Sequence, residues 1–495
     1  MSSLPTPRNP RVRLTLTALT LMLTACSVNP ATGERDFTAF MSPEQELQVG
    51  QEEHPKIIAQ FGGVYEDPKV TAYVDRVGQR LARVSEMPNL KFTFTVLDDD
   101  IVNAFALPGG YVYISRGLLG LANTEAELAG VLGHEIGHVT ARHSAQRYSS
   151  SILAQGLSVG AGILGSVFLG TSEIGQAIGE GSSVYLQSFS REHEFEADTL
   201  GVRYLARAGY STDSMASFLA SLQAYSSLEA QVSGQPDPAA RYNIMSTHPR
   251  TQDRVVAATR AANVQQARDP EIGNREYLAA IDGIIFGGSP EEGLIRGQVF
   301  VHEPLDFLFE VPQGFNLFNG SQQVVAKGPS NANILFSGGK APAGTSMQSY
   351  LTSVWAKNTN LSGVQSITIN GMEAATGSAA IRNQSGSFNA QLVAIRHSTD
   401  KVYRFVFLSP AAQTAALNED FRRTTFSFRK LTRNDRDRYN VWRIDNRVVG
   451  RGDTVESLSR NMPLPGPKDQ WFRVLNGLQP GSQPFPGQTV KVIVE

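Results

Sequence analysis

Leu128, Val131, Leu132 and Val139 fall on one face of a helix written across Leu128–Arg142. Thr124-Glu125-Ala126-Glu127 marks its start, with Thr124 as N-cap and Glu127 reaching back to close a capping box. A second helix is predicted over Arg191–Ala208, between Ser190 as N-cap and Gly209 as C′ stop. Ser42-Pro43-Glu44 opens an earlier helix, with a hydroxyl cap, proline at N1 and acids in the first turn. Further helices are expected near Pro68–Arg83, over Ser211–Ser227, and after Thr247-His248-Pro249, where Arg250 and Arg254 fall.

Strand patterns are fewer in this half. Phe92–Val96 alternates, and Asn103–Ser115 reads as a strand pair broken at Pro108-Gly109-Gly110. Its second arm, Tyr111–Ser115, has two readings: a free edge that pairs with an extended peptide, or an internal strand. Ser149–Thr171 carries no charge and is interrupted by several glycines; a hairpin or lid over a cleft is the preferred reading, ahead of core helices. Gly234–Pro238 reads as a loop. From Phe300 to about Lys430 the pattern turns to strands, at Phe307–Val311, Val364–Ile369, Gln391–Arg396 and Val402–Leu408, with one helix over Met347–Asn358. The fold class is α+β. A mainly helical domain with a small sheet spans 42–283, an α+β accessory domain 298–432, and a small β-α-α-β unit 439–495.

The first helix carries His134, Glu135 and His138 in the order H-E-x-x-H. Residues four apart share a helix face, so both imidazoles can reach one metal ion, and Glu135 can hold a water as general base. A hydrolytic zinc site takes three protein ligands and keeps one position open. The second helix offers Glu194 as the third ligand, with Asp198, four residues on, as acceptor for a ligand histidine. His193 and Glu196 lie off that face and are read as solvated or structural.

HEIGHVTARHS, then SREHEFEAD and later STHPRTQDRV, with NAFALPGGYVYISRGLL just upstream, resemble the gluzincin family of CAAX-prenyl endopeptidases, HtpX-type and BepA-type proteases. The resemblance covers roughly Pro30 to Ala262 and implies a zincin-type metallopeptidase domain holding one Zn²⁺ per chain. Carried over, it makes His134, His138 and Glu194 the ligands, Glu135 catalytic and Asp198 assisting. His248, in the family-like context Thr247-His248-Pro249, is a further catalytic candidate with three readings: an oxyanion stabiliser, an inhibitory latch on the zinc, or a packed histidine. The segment around Arg451–Leu458 and Trp471–Leu478 resembles a LysM module, which implies contact with N-acetylglucosamine polymers; Pro463–Pro467 departs from that pattern.

Residues 1–25 read as a leader, with Arg8, Arg11 and Arg13 ahead of a short apolar run and Leu23-Thr24-Ala25-Cys26 at its end. That ending resembles a bacterial lipobox, so Cys26, the single cysteine, is expected to be lipidated, with 26–41 as a tether. Ser27 after it favours the outer membrane. Hydrophobic residues make up 41% and charged residues 18%, with net charge −2, which gives no electrostatic case for nucleic acid. The expected activity is hydrolysis of peptide bonds in misfolded or unassembled proteins of the bacterial envelope. The alternatives are a chaperone with a latent zinc site and a peptidoglycan-directed amidase.

Overall fold

The computed structural model describes residues 26–154, 188–233, 248, 252–264, 266–320, 323–383 and 386–495. The leader 1–25, residues 155–171 of the expected lid, the Gly234–Pro238 loop, and Thr247, Pro249 and Arg250 lie outside them. The described chain forms two units. One joins the residues up to Ile284 with Ile444–Val492, and the other comprises Ile285–Arg443 with Ile493–Glu495.

The first unit opens with β1 (Cys26–Val28) paired antiparallel to β2 (Arg35–Phe37), inside the stretch expected to be a tether. Asn29 explains the order: its side-chain oxygen accepts the Ala31 and Thr32 N–H groups and its amide donates to Asp36. Helix α1 (Pro43–Gln60) has Ser42 as N-cap, as expected, and Gln45 bonds back to the Ser42 N–H to close a capping box that the sequence reading did not give. Helix α2 (Pro68–Ala82) is capped by Asp67. Strands β3 (Thr93–Leu97), β4 (Ala104–Leu107) and β5 (Tyr111–Ser115) then form one sheet in the order β3-β5-β4. The turn between β4 and β5 needs positive φ at Gly109 and Gly110, 82° and 89°. Strand β5 is central, parallel to β3 and antiparallel to β4, so the edge reading of Tyr111–Ser115 is corrected: the edge strands are β3 and β4.

After α3 (Arg116–Leu121), the first motif lies on α4 (Glu125–Thr140). Thr124 accepts the Glu127 N–H as expected, but Glu127 bonds the N–H of Asn123, one residue before the cap, and the Ser217 hydroxyl. Helix α5 (His143–Ala154) follows. Helix α6 (Arg191–Ala208) has Ser190 as N-cap and Gly209 as left-handed stop. It crosses α4 where both carry glycine: a Cβ on Gly137 would lie 3.1 Å from the Ala197 carbonyl, and one on Gly201 3.0 Å from the His134 nitrogen. Only chains without side chains there can approach so closely. That approach brings the two motifs together. Helices α7 (Asp213–Ser233), α8 (Gln252–Val264) and α9 (Asn274–Ile281) complete this part.

The second unit is built on a seven-stranded antiparallel sheet. Its strands are β6 (Asn316–Asn319), β7 (Val324–Lys327), β8 (Asn333–Lys340), β9 (Ser362–Ile369), β10 (Met372–Asn383), β11 (Gly386–Arg396) and β12 (Lys401–Pro410), in the order β6-β7-β8-β12-β11-β10-β9. Rings fill its core: Phe309, Phe336, Tyr403, Phe405 and Phe428 are all buried. Met347–Trp355 is helical, as expected there. Past this unit come β13 (Trp442–Val448), α10 (Val455–Ser459), α11 (Lys468–Leu475) and β14 (Thr489–Val494), the expected strand-helix-helix-strand order. The buried Lys491 ammonium donates to the carbonyls of Gly120, Leu121 and Ala122, which ties this segment to the end of α3.

Candidate metal centre

His134 and His138, one turn apart on α4, meet Glu194 from the first turn of α6, and His248 joins them. Their donor atoms all lie within 4.8 Å of one another, and all four side chains are buried. His134 Nε2 stands 3.6 Å from one Glu194 oxygen and His138 Nε2 3.5 Å from the other. The opposite ring nitrogens are anchored. His134 Nδ1 lies 3.0 Å from Asp198 Oδ1, and His138 Nδ1 lies 2.8 Å from His143 Nδ1. Phe189 stacks on His138 at a centroid distance of 4.0 Å. Both imidazoles therefore turn Nε2 toward the shared point, as ligand histidines fixed by their second nitrogen do.

Glu135 is fully buried, and neither carboxylate oxygen has a hydrogen-bond partner in the structure. A carboxylate is costly to hold that way without a compensating charge. Burial raises its pKa. His138 is pushed well below the usual imidazole range by burial and by the neighbouring rings. Burial alone would raise the Asp198 carboxyl, but Arg254 and His134 hold it down to about 2. Burial would likewise raise Glu194, and His248, His134 and Arg254 reverse the direction. The donor set is two neutral-capable imidazoles and one carboxylate, with an orphaned carboxylate alongside. That chemistry fits one Zn²⁺.

His248 sits inside the cluster. Its Nδ1 lies 2.9 Å from Glu194 Oε1 and 3.2 Å from His134 Nε2, and its Nε2 lies 3.5 Å from Glu135 Oε1. His193 bonds Gln146 and stacks on His143 at 4.3 Å, while Glu196 takes a hydrogen bond from Asn29 and faces His143 at 3.4 Å. Two residues gain roles the sequence reading did not give them. His143 holds His138, and its signal was a histidine five places on in a chain with only 8. Arg254 grips Asp198 through Nε and Nη2 at 2.7 and 2.8 Å, and its Nη1 lies 2.7 Å from Glu194.

Two cavities flank the cluster. One, lined by Val131, Met215, Phe218, Leu219 and Leu222, reaches Glu135 and His134. The other, about 300 Å³, reaches His138 and is lined by Ala106 and Leu107 of the edge strand β4.

The H-E-x-x-H helix is thus crossed by a second helix that supplies a glutamate, the donor set expected from the resemblance to gluzincins. Residues 68–262 match the profile of peptidase family M48. The β-barrel assembly-enhancing protease of Yersinia pestis is 32% identical over 248 residues, 49% of this chain and 49% of its own. The mitochondrial metalloendopeptidase OMA1 of Schizosaccharomyces pombe is 28% identical over 263 residues, 51% of this chain and 72% of its own. The chain thus spans about half the length of the assembly-enhancing protease it matches. Cyanobacterial PsbP of Synechocystis aligns in structure with 27% of this chain and 92% of its own, at 11% identity and a TM-score of 0.23.

Proposed function

We propose that the protein is a zinc-dependent endopeptidase of the bacterial envelope that cleaves misfolded or unassembled proteins. The observation that carries the reading is the buried, unpartnered Glu135 carboxylate beside three converging donor side chains. His134, His138 and Glu194 would hold the metal, with Asp198 and His143 fixing the rings. Zinc bound there would supply a Lewis acid and a water whose pKa falls toward about 7. Glu135 takes a proton from the attacking water and passes it to the leaving amine nitrogen. The edge strand β4, beside the His138 cavity, offers backbone groups to an extended peptide, which would lie along it as an added strand.

The envelope setting is supported by the leader-like N-terminus ending at Cys26 and by the relatives' names. Among the described residues no helix is long and apolar enough to cross a membrane. Lipid on Cys26 would anchor the chain, and the 439–495 unit would contact peptidoglycan. Cell fractionation of Cys26→Ser tests the anchor: the variant should leave the membrane fraction, and full retention there excludes it.

The activity is tested by digestion of unfolded casein, with and without a chelator, by wild type and by Glu135→Gln. The substitution keeps the shape and removes the base. Turnover should fall by at least about 100-fold, the usual contribution of a general base, at unchanged zinc content. Undiminished digestion by Glu135→Gln rejects the mechanism.

A further inference from the structure

The seven-stranded sheet of the second unit has unequal edges. One is β6, four residues long; the other is β9, whose eight residues make it the longest edge strand among the described residues. Sheets guard their edges with short strands, charges or proline. β9 has none of these: from Asn358 to Met372 the chain carries no charged residue and no proline. Ser362, Gly363, Gln365, Ser366 and Thr368 are exposed, and among the described residues nothing pairs with the outer side of the strand.

The turn that follows fixes which backbone groups are free. Asn370 and Gly371 have positive φ, 48° and 81°, which makes Ile369–Met372 a two-residue hairpin of type I′. Its closing pair, Ile369 and Met372, exchanges both hydrogen bonds, and pairs of that kind recur at every second residue. Ile367 and Gln365 therefore bond inward to β10, while Ser366 and Thr368 turn their N–H and C=O groups outward. Both layers of the unit reach this strand. Val364 packs on the cluster of Met347, Tyr350 and Leu351, and Ile367 on the cluster of rings. Beside the turn, Asn370 donates to the carbonyls of Phe426 and Phe428, and the Phe426 ring is left exposed.

We propose that β9 captures an extended, uncharged stretch of unfolded polypeptide as an added strand of the sheet. The edge offers N–H and C=O groups at a strand's spacing, which another extended backbone matches. Apolar side chains of the added strand would continue the two layers and meet Phe426. A second copy of this chain fits less well. Between Ser362 and Gln365 the register shifts, with a φ of 61° at Gly363, and such a bulge bends the strand. Only Gln365–Ile369 keeps an unbroken register. A rigid sheet meeting so short a run falls below the roughly 800 Å² per partner of a stable interface, whereas a flexible chain follows the bend. A substrate held there stays at raised effective concentration for the metal centre. Capture stands without the peptidase reading, and its use in digestion rests on that reading.

Fluorescence anisotropy tests capture without proteolysis, using the full chain carrying Glu135→Gln. The probe is a labelled peptide alternating threonine and valine over about ten residues, a usual strand length. Saturable binding is expected. The same peptide with every backbone nitrogen methylated should not bind, since it lacks the donors an added strand needs. Thr368→Pro removes one outward N–H and spares the bonds to β10. Affinity should then fall about tenfold, near the upper end of one hydrogen bond's net contribution, at an unchanged melting temperature. Thr368→Val keeps that N–H and should bind as the chain with Thr368 does. Absence of binding overturns the proposal, as does equal binding of the methylated peptide or equal binding by Thr368→Pro. A dimer in sedimentation that Thr368→Pro abolishes also overturns it, by making a second copy the occupant. With Glu135 intact, Thr368→Pro should raise KM for unfolded casein and leave kcat unchanged; an unaltered KM overturns the link to digestion. No digestion by either protein rejects the peptidase reading and leaves the anisotropy result standing.

Discussion

Around Glu135 the chain buries histidines, carboxylates and an arginine, whereas the seven-stranded sheet of the second unit buries rings. In the sheet, Phe336 and Phe405 lie 4.8 Å apart, and Phe309 meets Phe405 edge-on at 5.2 Å. Such contacts are favourable wherever the shapes fit, and they tolerate substitution of similar volume. At the metal centre every buried charge costs desolvation, and it persists because a specific partner offsets it. Asp198 has Arg254 and His134; Glu194 has Arg254 and His248. Glu135 accepts no hydrogen bond, and His248 Nε2 stands 3.5 Å from its Oε1. The difference teaches where function resides: one region spends its burial on stability, and the other holds polar groups that stability alone would not favour.

The largest expected effect contrasts the two regions directly. Phe405→Ala removes a ring with no exposed surface from the sheet core, at a cost of about 3–5 kcal/mol. Calorimetry should show a lowered transition for the second unit, with zinc content by atomic absorption unchanged. If zinc is lost together with that transition, the regions are not independent and the contrast fails.

A smaller effect should follow from Arg254→Ala. The substitution leaves Asp198 and Glu194 buried without their shared cation and frees the Asp198 contact that orients His134. Loss of such an outer partner lowers metal affinity by about 10–100-fold. Competition against a fluorescent chelator measures it, and Arg254→Lys should recover only part, since an ammonium cannot reproduce the forked contact. Unchanged affinity would mean that Arg254 serves packing alone.

What was legible in the sequence followed the range of the interaction. The caps at Thr124, Ser190 and Ser42 and the stop at Gly209 are set by neighbours three or four residues away, and the structure has them. The spacing that puts His134 beside His138, and Glu194 beside Asp198, is equally local. Strand order is not. Tyr111–Ser115 offers no sign that Thr93–Leu97 takes one side of it and Ala104–Leu107 the other. The Arg254–Asp198 pair spans 56 residues, and the hairpin at 26–37 depends on how Asn29 closes its own turn. The crossing of α4 and α6 lies between these cases: Gly133, Gly137 and Gly201 are visible in the sequence, but their close approach appears only in the fold.

The smallest expected effect concerns His248, and it decides which side of the contrast that residue belongs to. Its ring is buried, as packed rings are, but Glu194, His134 and Glu135 all lie within 3.5 Å of it. His248 is itself a fourth donor of the cluster, and a hydrolytic zinc site keeps its fourth position open for water. This favours the latch over the oxyanion stabiliser, because a stabiliser would stand beside that position rather than in it. Removal should therefore raise activity. A latch seated roughly 90% of the time hides about tenfold of the turnover, since only the open fraction is competent. His248→Ala should digest unfolded casein faster than wild type at equal zinc content, with the gain set by that fraction. A fall in turnover would make His248 a participant in the reaction. Unchanged turnover would return it to the packed residues, alongside the rings of the sheet.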